Sequence, residues 1–387
     1  MTDKTPSPPS RLQAWHRDRG AVFDDAGSCP FPLHYGRPDV ETRALREHCA
    51  VFDLSPRGRM CVLGADRTAF LHGQITQQVK GQAVGTGGHG CLVNAKGKMH
   101  TDLFFHVLNN EILLDFEPGL AAGVTERLER FVIAEDVQIA DASQAFGLLS
   151  FQGPHAAEVA AASARSPKNS LVSPEVSVTG AAWRDFEIRW HEDPEFGICY
   201  LSRTPRLALP GYDWYVPVEH LAAAALRIES SEISKPSRWS GHQAWELARI
   251  TAAIPRFGVD MDESTLPPEA GLESRAISYN KGCYIGQEVI ARIRTYGEPA
   301  RLLRGLRLGG DSASPPHRGA LLLSGEREIG RITSVVQTAD REWLGLGYVR
   351  KECKARGTAL SWKLRDGTGS AVVATEPFVP FLGEHRD

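Results

Sequence analysis

The feature that most constrains the fold of this chain is a change of pattern near residue 300. Before it, apolar runs with strand alternation are interleaved with runs of helical spacing. After it, only short strand-like runs remain, at 302–308, 320–323, 329–336 and 343–349, separated by glycines and prolines. Several short strands punctuated by turn residues predict a separate small barrel or sandwich. At 387 residues the chain is too long for one hydrophobic core of usual size, so two or three domains are expected.

The mixed part reads as follows. Residues 1–20 combine Pro6, Pro8, Pro9 and serines with many charges, which predicts a flexible lead-in. Val40, Ala44, Leu45 and Cys49 have helical spacing, and Arg59–Leu63 alternates as a strand. The runs 90–94, 102–108 and 111–116 form a β-meander, with the Asn94-Ala95-Lys96-Gly97-Lys98 turn between the first two and Asn109-Asn110 between the others. A strand at 146–151 leads through Gly153-Pro154 into a helix and a Ser/Ala/Pro-rich linker near 161–175. The run 214–218 is a further strand, and helices are expected near 218–226 and 241–253, the latter ending before Pro255.

One segment stands apart. Lys281-Gly282-Cys283-Tyr284-Ile285-Gly286-Gln287-Glu288 places a cation, a thiol, an aromatic ring, two glycines and an amide–carboxylate pair in one octapeptide. The glycines predict close backbone approach or positive φ, and an extended Lys281-Gly282-Cys283 would aim ammonium and sulfur at one face. The following Gln287-Glu288-Val289-Ile290-Ala291-Arg292 reads as a helix, so Cys283 precedes a helix N-terminus where dipoles favour a thiolate. A buried, inert turn cysteine is the competing reading.

Composition narrows the class of partner. With 42% hydrophobic and 24% charged residues and a formal charge of −3, the chain has no global attraction for nucleic acid or an anionic membrane. No apolar run reaches the length needed to span a bilayer, and Lys4 is not followed by a signal-like stretch, so a cytoplasmic location is expected. The seven cysteines never form C-x-x-C, which points to neither a disulfide framework nor a zinc or iron–sulfur ligand set; no resident metal is expected.

The order of the segments resembles a known family. Ala50-Val51-Phe52-Asp53-Leu54-Ser55 resembles the "GLFDVS" of the glycine-cleavage T-protein (aminomethyltransferase), and Gly64-Ala65-Asp66 through Phe70-Leu71 follows its "G-x-D-A-x-x-F-L" helix. Phe151-Gln152-Gly153-Pro154 resembles "LQGP", Gly211–Pro217 is similar to "GFEIYVP", and 248–255 is similar to "LRLEAGMP". The octapeptide, with Ala291-Arg292 after it, resembles the K-G-C-Y-x-G-Q-E signature of YgfZ-type folate-binding proteins, relatives of the T-protein. T-proteins carry an aspartate beside the folate nitrogens in a Gly-Gly-x-x-Asp-Asp-Leu turn; the corresponding residue in Gly97–Leu103 is Thr101, whose hydroxyl cannot take a proton or stabilise an iminium as a carboxylate does.

The resemblance implies an α+β, T-protein-like multidomain ring around a central folate cavity: a folate-binding region of two intertwined α/β portions over 21–300 and a C-terminal β-barrel over 301–387. It also implies tetrahydrofolate, or a one-carbon derivative, as the cofactor, and a role in the maturation or repair of a subset of iron–sulfur proteins. The expected partners are folate and iron–sulfur client proteins or assembly machinery. Cys283 and Lys281 are the expected chemical residues, with Lys281 lowering the thiol pKa. The thiol's role stays open among nucleophile or redox group, transient ligand, and structural residue. A pterin donates hydrogen bonds, is flat and trails an anionic glutamate. Asp213, which matches the glutamate of "GFEIYVP", is by that resemblance the candidate for the pterin edge, with Tyr284 or Trp214 for stacking and Lys281, Arg292 and Arg294 for the anionic tail. Arg249 is a ligand-facing or salt-bridged arginine, Asp102 a candidate replacement for the missing aspartate, and Asn94, Lys96 and Lys98 either line the cavity or simply form a turn. The alternative functions are a tetrahydrofolate-dependent aminomethyl- or methyltransferase and a folate-binding module without chemistry.

Overall fold

The computed structural model describes residues 10–24, 29–164, 183–231, 237–310, 315–365 and 367–374. In chain order the elements are α1 (Gln13–Asp18), α2 (Pro38–Glu47), β1 (Ala50–Asp53), β2 (Gly58–Leu63), α3 (Arg67–Gln74), β3 (Gly87–Val93), β4 (Met99–Val107) and β5 (Glu111–Phe116). They continue with α4 (Ala121–Glu129), β6 (Gln138–Asp141), β7 (Phe146–Gln152), α5 (Ala156–Ser163), β8 (Ile188–Asp193), β9 (Gly197–Arg203), β10 (Gly211–Pro217), α6 (Leu221–Ser230), β11 (Arg238–Trp239) and α7 (His242–Thr251). The chain closes with α8 (Glu273–Ala276), α9 (Gln287–Tyr296), β12 (Arg301–Leu308), β13 (Leu321–Ser324), β14 (Arg327–Gln337), β15 (Trp343–Arg350), β16 (Ala359–Leu364) and β17 (Gly367–Val373).

Two compact units divide the chain. The first comprises Met1–Gln74, Gln78–Gly90 and Leu103–Trp245, and the second Ile75–Gln77, Cys91–Asp102 and Glu246–Asp387. Their boundary crosses the sequence several times, because the β3–β4 turn and the short Ile75–Gln77 segment belong with the C-terminal half.

In the first unit, a six-stranded sheet of order β11-β1-β7-β10-β9-β8 carries the largest core. Its two faces have opposite character because side chains alternate along a strand. On one face Val51, Leu149, Phe151, Leu201, Tyr212, Trp214 and Val216 pack with the alanine-rich α5 and α6. On the other face lie Ser150, Ser202, Asp213 and Tyr215, brought side by side by the antiparallel pairing Asp213↔Ser150 and Asp213↔Ser202. All four are fully or almost fully buried. A buried polar face is costly unless its groups are satisfied, so this face is set apart from ordinary core. A five-stranded sheet, β3-β4-β5-β2-β6, contributes Asp115 from β5.

Of the lead-in expected over 1–20, residues 10–20 are among the described residues. From Ser10 the chain is part of the fold: α1 buries His16, Leu12 just ahead of it is buried too, and His16 Nε2 lies 3.0 Å from Asp53 Oδ2, while Tyr35 OH reaches His16 Nδ1 at 2.7 Å. A charged-looking segment is retained because its one histidine has a buried carboxylate partner, which composition does not reveal. Residues 1–9 and most of the expected 161–175 linker lie outside the described residues; Ala161–Ser163 complete α5.

The C-terminal strands form a closed six-stranded barrel of order β12-β15-β14-β13-β16-β17, so no edge is left unpaired. Its interior is filled by Leu306, Leu322, Ile332, Val349 and Trp362, whose indole Nε1 donates to Gly309 O at 2.7 Å. On the outside, Leu303, Leu344, Leu346 and Tyr348 pack with Ile250 of α7. The fold is thus mixed α/β with a C-terminal closed barrel; strand patterning leaves barrel and sandwich open, and the barrel implied by the resemblance is the one present. Among the described residues no helix is long and apolar enough to cross a membrane.

Candidate functional site

In the first unit, the polar face of the six-stranded sheet is organised by one arginine. Arg206 Nε donates to Asp213 Oδ2 at 2.9 Å, and its Nη2 lies 2.7 Å from the same oxygen and pairs with Asp115 Oδ2. Arg57 Nε donates to Asp115 Oδ1 at 2.7 Å, and Arg57 also pairs with Glu117. Burial opposes ionisation of Asp115, but Arg206 and Arg57 outweigh it and hold the carboxyl below the usual range. For Asp213 the balance is reversed: burial lifts the carboxyl above the ordinary range despite Arg206. Its Oδ1 has no hydrogen-bond partner, and the hydroxyl of Tyr215, on the same face, has none either. Unpaired buried acceptors and donors cost about 1–3 kcal/mol each, which makes this pair a candidate point of contact for a ligand or water.

His106 of β4 is fully buried. Its ring packs edge-on to Tyr215 with centroids 6.4 Å apart, its Nδ1 meets Phe186 O at 3.2 Å, and burial lowers its pKa to about 4. Sequence reasoning does not single out Arg206, Asp115, Tyr215 or His106. Asp115 and His106 leave a trace there, as polar residues inside the apolar runs Leu113-Leu114-Asp115-Phe116 and Phe104-Phe105-His106-Val107-Leu108.

In the second unit, the octapeptide is anchored at both ends. Gly286 adopts φ +82°, and a Cβ on it would lie 2.4 Å from Asn94 O, so both reasons for a glycine apply at once. The Asn94–Lys98 turn it abuts is tied by Asn94 Oδ1, which accepts from Lys96 N at 2.9 Å and Lys98 N at 3.1 Å. At the other end Lys281 Nζ donates to Ile75 O at 2.6 Å and Gln77 O at 2.9 Å and stands 4.9 Å from the Tyr284 ring centroid. Lys281 is buried, which draws its pKa down to about 7. Tyr284 is also buried, and burial pushes its hydroxyl up to about 12.

Cys283, two residues on, is exposed, whereas the other six cysteines are buried or half-buried. Ammonium and thiol therefore differ in environment, contrary to the shared face expected of an extended tripeptide. The physical reason is the pair of backbone carbonyls, which hold the ammonium inside. Cys283 also stands four residues ahead of Gln287, with the Tyr284–Gln287 turn between it and α9.

The remaining candidates in this unit separate. Arg249 is buried, with Nε on Glu246 at 2.7 Å, Nη1 on Asp260 at 2.8 Å and Nη2 on Ser334 at 2.8 Å. Burial works against that charge, but Glu246 and Asp260 outweigh it and raise the guanidinium pKa. All three nitrogens are thus engaged within the protein, which gives Arg249 the salt-bridged reading. Arg292 is exposed on α9, and Arg294 lies with its guanidinium 3.9 Å from the Tyr279 ring centroid. Thr101 is fully buried and its hydroxyl donates to Asp102 O at 2.8 Å, while Asp102 itself is half-buried. Trp214, a residue of the first unit, faces the apolar core with α5 and α6, away from the polar face that holds Asp213. Among the described residues no group of three or more His, Cys, Asp or Glu side chains is gathered to hold a metal ion.

Comparison with known proteins places these features in a family. The GCVT N-terminal domain model matches residues 12–281, and the glycine cleavage T-protein C-terminal barrel domain matches 301–380. An aminomethyltransferase of Cutibacterium acnes is 25% identical over 377 residues, covering 95% of this chain and 97% of that protein. A mitochondrial aminomethyltransferase of Gallus gallus is 26% identical over 390 residues, covering 95% and 92%. The crystal structure of the glycine cleavage system aminomethyltransferase T from Bartonella henselae superposes with a TM-score of 0.81 at 22% identity, covering 96% of this chain and 98% of that one, and so shares the fold. With one domain model spanning most of the chain and the second spanning the barrel, the protein belongs to the GCVT family, whose members are built from this N-terminal domain and the T-protein C-terminal barrel.

Proposed function

We propose that this chain is a tetrahydrofolate-binding accessory factor in the maturation or repair of a subset of iron–sulfur proteins, acting through Cys283. The GCVT and aminomethyltransferase family uses tetrahydrofolate, and the polar face of the six-stranded sheet fits that ligand. The unpartnered Oδ1 of Asp213 is a buried acceptor of the kind a pterin edge of N–H groups requires, and Tyr215 OH adds a second unpaired group beside it. Arg206 keeps Asp213 oriented without using both of its oxygens. When bound, tetrahydrofolate would supply one-carbon chemistry.

The observation that carries the accessory-factor reading is the placement of Cys283: an exposed thiol in a segment pinned by Gly286 at one end and Lys281 at the other. A thiol presented in this way is reachable by the sulfur or iron of a client protein, whereas one cysteine cannot cradle a cluster alone. Lys281 acts as a positioning residue in this reading, since its ammonium is directed at backbone carbonyls. Thr101 supports the same side, because its hydroxyl is spent on Asp102 O and offers no carboxylate for aminomethyl transfer.

An aminomethyltransferase is the second reading, favoured by whole-length likeness to such enzymes. The two part in one experiment: purified protein titrated with tetrahydrofolate by calorimetry and assayed for tetrahydrofolate-dependent release of ammonia from an aminomethyl donor. Saturable binding without turnover supports the accessory factor. Turnover that survives Cys283→Ser supports the transferase.

A further inference from the structure

The outer wall of the barrel carries an arginine cluster that the folate reading does not use. In the second unit, a cavity of about 860 Å³ is lined by Arg301, Arg318, Arg331, Arg350, Tyr348 and Glu328, among others. That volume is within the roughly 300–1,000 Å³ of small-molecule sites and far exceeds one phosphate.

Strand pairing explains how the charges meet. Arg301 of β12 lies directly opposite Arg350 of β15, and Arg331 of β14 lies directly opposite Tyr348 of β15. Directly opposed residues in an antiparallel pair project from the same face, as do residues two apart in one strand. Arg301, Arg350 and Arg331 therefore surround Tyr348. Two like charges placed directly opposite are unfavourable without a counter-charge between or beside them.

The acids in the cavity supply only part of that counter-charge. Glu269 accepts from Arg301 at 3.1 Å, Asp260 is committed to Arg249, and Asp262 accepts from Ser264 and Thr265. Among the described residues Arg331 and Arg350 form no ion pair; both are exposed, with exposed Glu328 the opposing charge on the rim. At the centre Tyr348 is only 7% exposed, its ring lies 4.7 Å from the Arg301 guanidinium carbon, and its hydroxyl has no hydrogen-bond partner. A buried unpaired hydroxyl amid guanidinium forks is a donor waiting for an oxyanion.

We propose that this cleft binds a small polyanion, a molecule carrying two or more carboxylate or phosphate groups spread widely enough to reach Arg331 on one side of Tyr348 and Arg350 on the other. Guanidinium forks match both oxyanions bidentately, and Tyr348 OH donates to one of them.

The test is calorimetric titration of the full chain with citrate and, separately, with pyrophosphate at constant ionic strength. Saturable binding of at least one is expected, and the preferred anion identifies carboxylate or phosphate as the natural chemistry. The double variant Arg331→Ala/Arg350→Ala should weaken binding at least about tenfold, Tyr348→Phe about three- to tenfold, and Glu328→Gln should tighten it. Arg350→Lys, which keeps the charge and loses the fork, should fall between wild type and the double variant, and circular dichroism checks that each variant folds. Absence of saturable heat with both anions, or equal binding by wild type and the folded double variant, overturns the proposal. Because Asp213 lies outside this cluster, Asp213→Asn should leave anion binding unchanged, so this result stands apart from the folate assignment.

Discussion

Arg206 donates to Asp213 Oδ2 at 2.9 Å and leaves Asp213 Oδ1 without a hydrogen-bond partner. In the proposed folate site, Asp213 is oriented by Arg206 and its free oxygen accepts from the pterin. Asp213→Asn should therefore lower tetrahydrofolate affinity by about 10- to 100-fold, the range of one charge-assisted hydrogen bond, with little change in fold. Calorimetric titration of both proteins measures it.

Removing the arginine is a different matter. Arg206→Met leaves Asp213 without its cation and Asp115 with Arg57 alone. Breaking a buried ion network by deleting one partner costs about 3–5 kcal/mol, so the midpoint of urea unfolding should fall strongly. A variant as stable as wild type would show that Arg206 does not hold this face together.

His106 predicts an acid-sensitive fold. Its folded pKa is about 4, against an ordinary value of 6.5, because burial disfavours the imidazolium. Between those values the unfolded chain binds the proton and the folded chain does not, so this residue's contribution to stability is complete above pH 6.5 and is lost as pH falls toward 4. The loss is on the order of 3 kcal/mol. His106→Gln should flatten that part of the stability–pH curve, which urea titrations at a series of pH values record.

Gly286 fixes where the octapeptide lies. Its φ is +82°, and a methyl group there would stand only 2.4 Å from Asn94 O, so Gly286→Ala should destabilise by about 1–3 kcal/mol and displace the loop. Urea unfolding reports the first effect, and a changed rate of Cys283 alkylation reports the second.

Much of this architecture is legible in the chain because it rests on local pattern. The meander at 90–116, the strand expected at 214–218 and the β-rich C-terminus are short apolar runs bounded by turn residues, and strands are present in each. The glycine at 286 is readable as a point of close approach, since only backbone contact or positive φ explains it there. What stays hidden depends on long-range pairing. Arg206 follows Thr204-Pro205 in a stretch that reads as an ordinary turn, and only the fold brings it to Asp115, 91 positions earlier. Arg249 shows the opposite limit: its setting in the chain marks it as notable, but its three partners at Glu246, Asp260 and Ser334 decide what it does. The same holds for Lys281, whose chemistry is set by carbonyls about two hundred positions away, at Ile75 and Gln77.

The role assigned to Cys283 is decided by complementation of a strain lacking this protein, read as the activity of an iron–sulfur enzyme such as a radical methylthiotransferase. Wild type should restore that activity and Cys283→Ser should not, although both accumulate to the same level and bind tetrahydrofolate equally. Full restoration by Cys283→Ser would rule the thiol out.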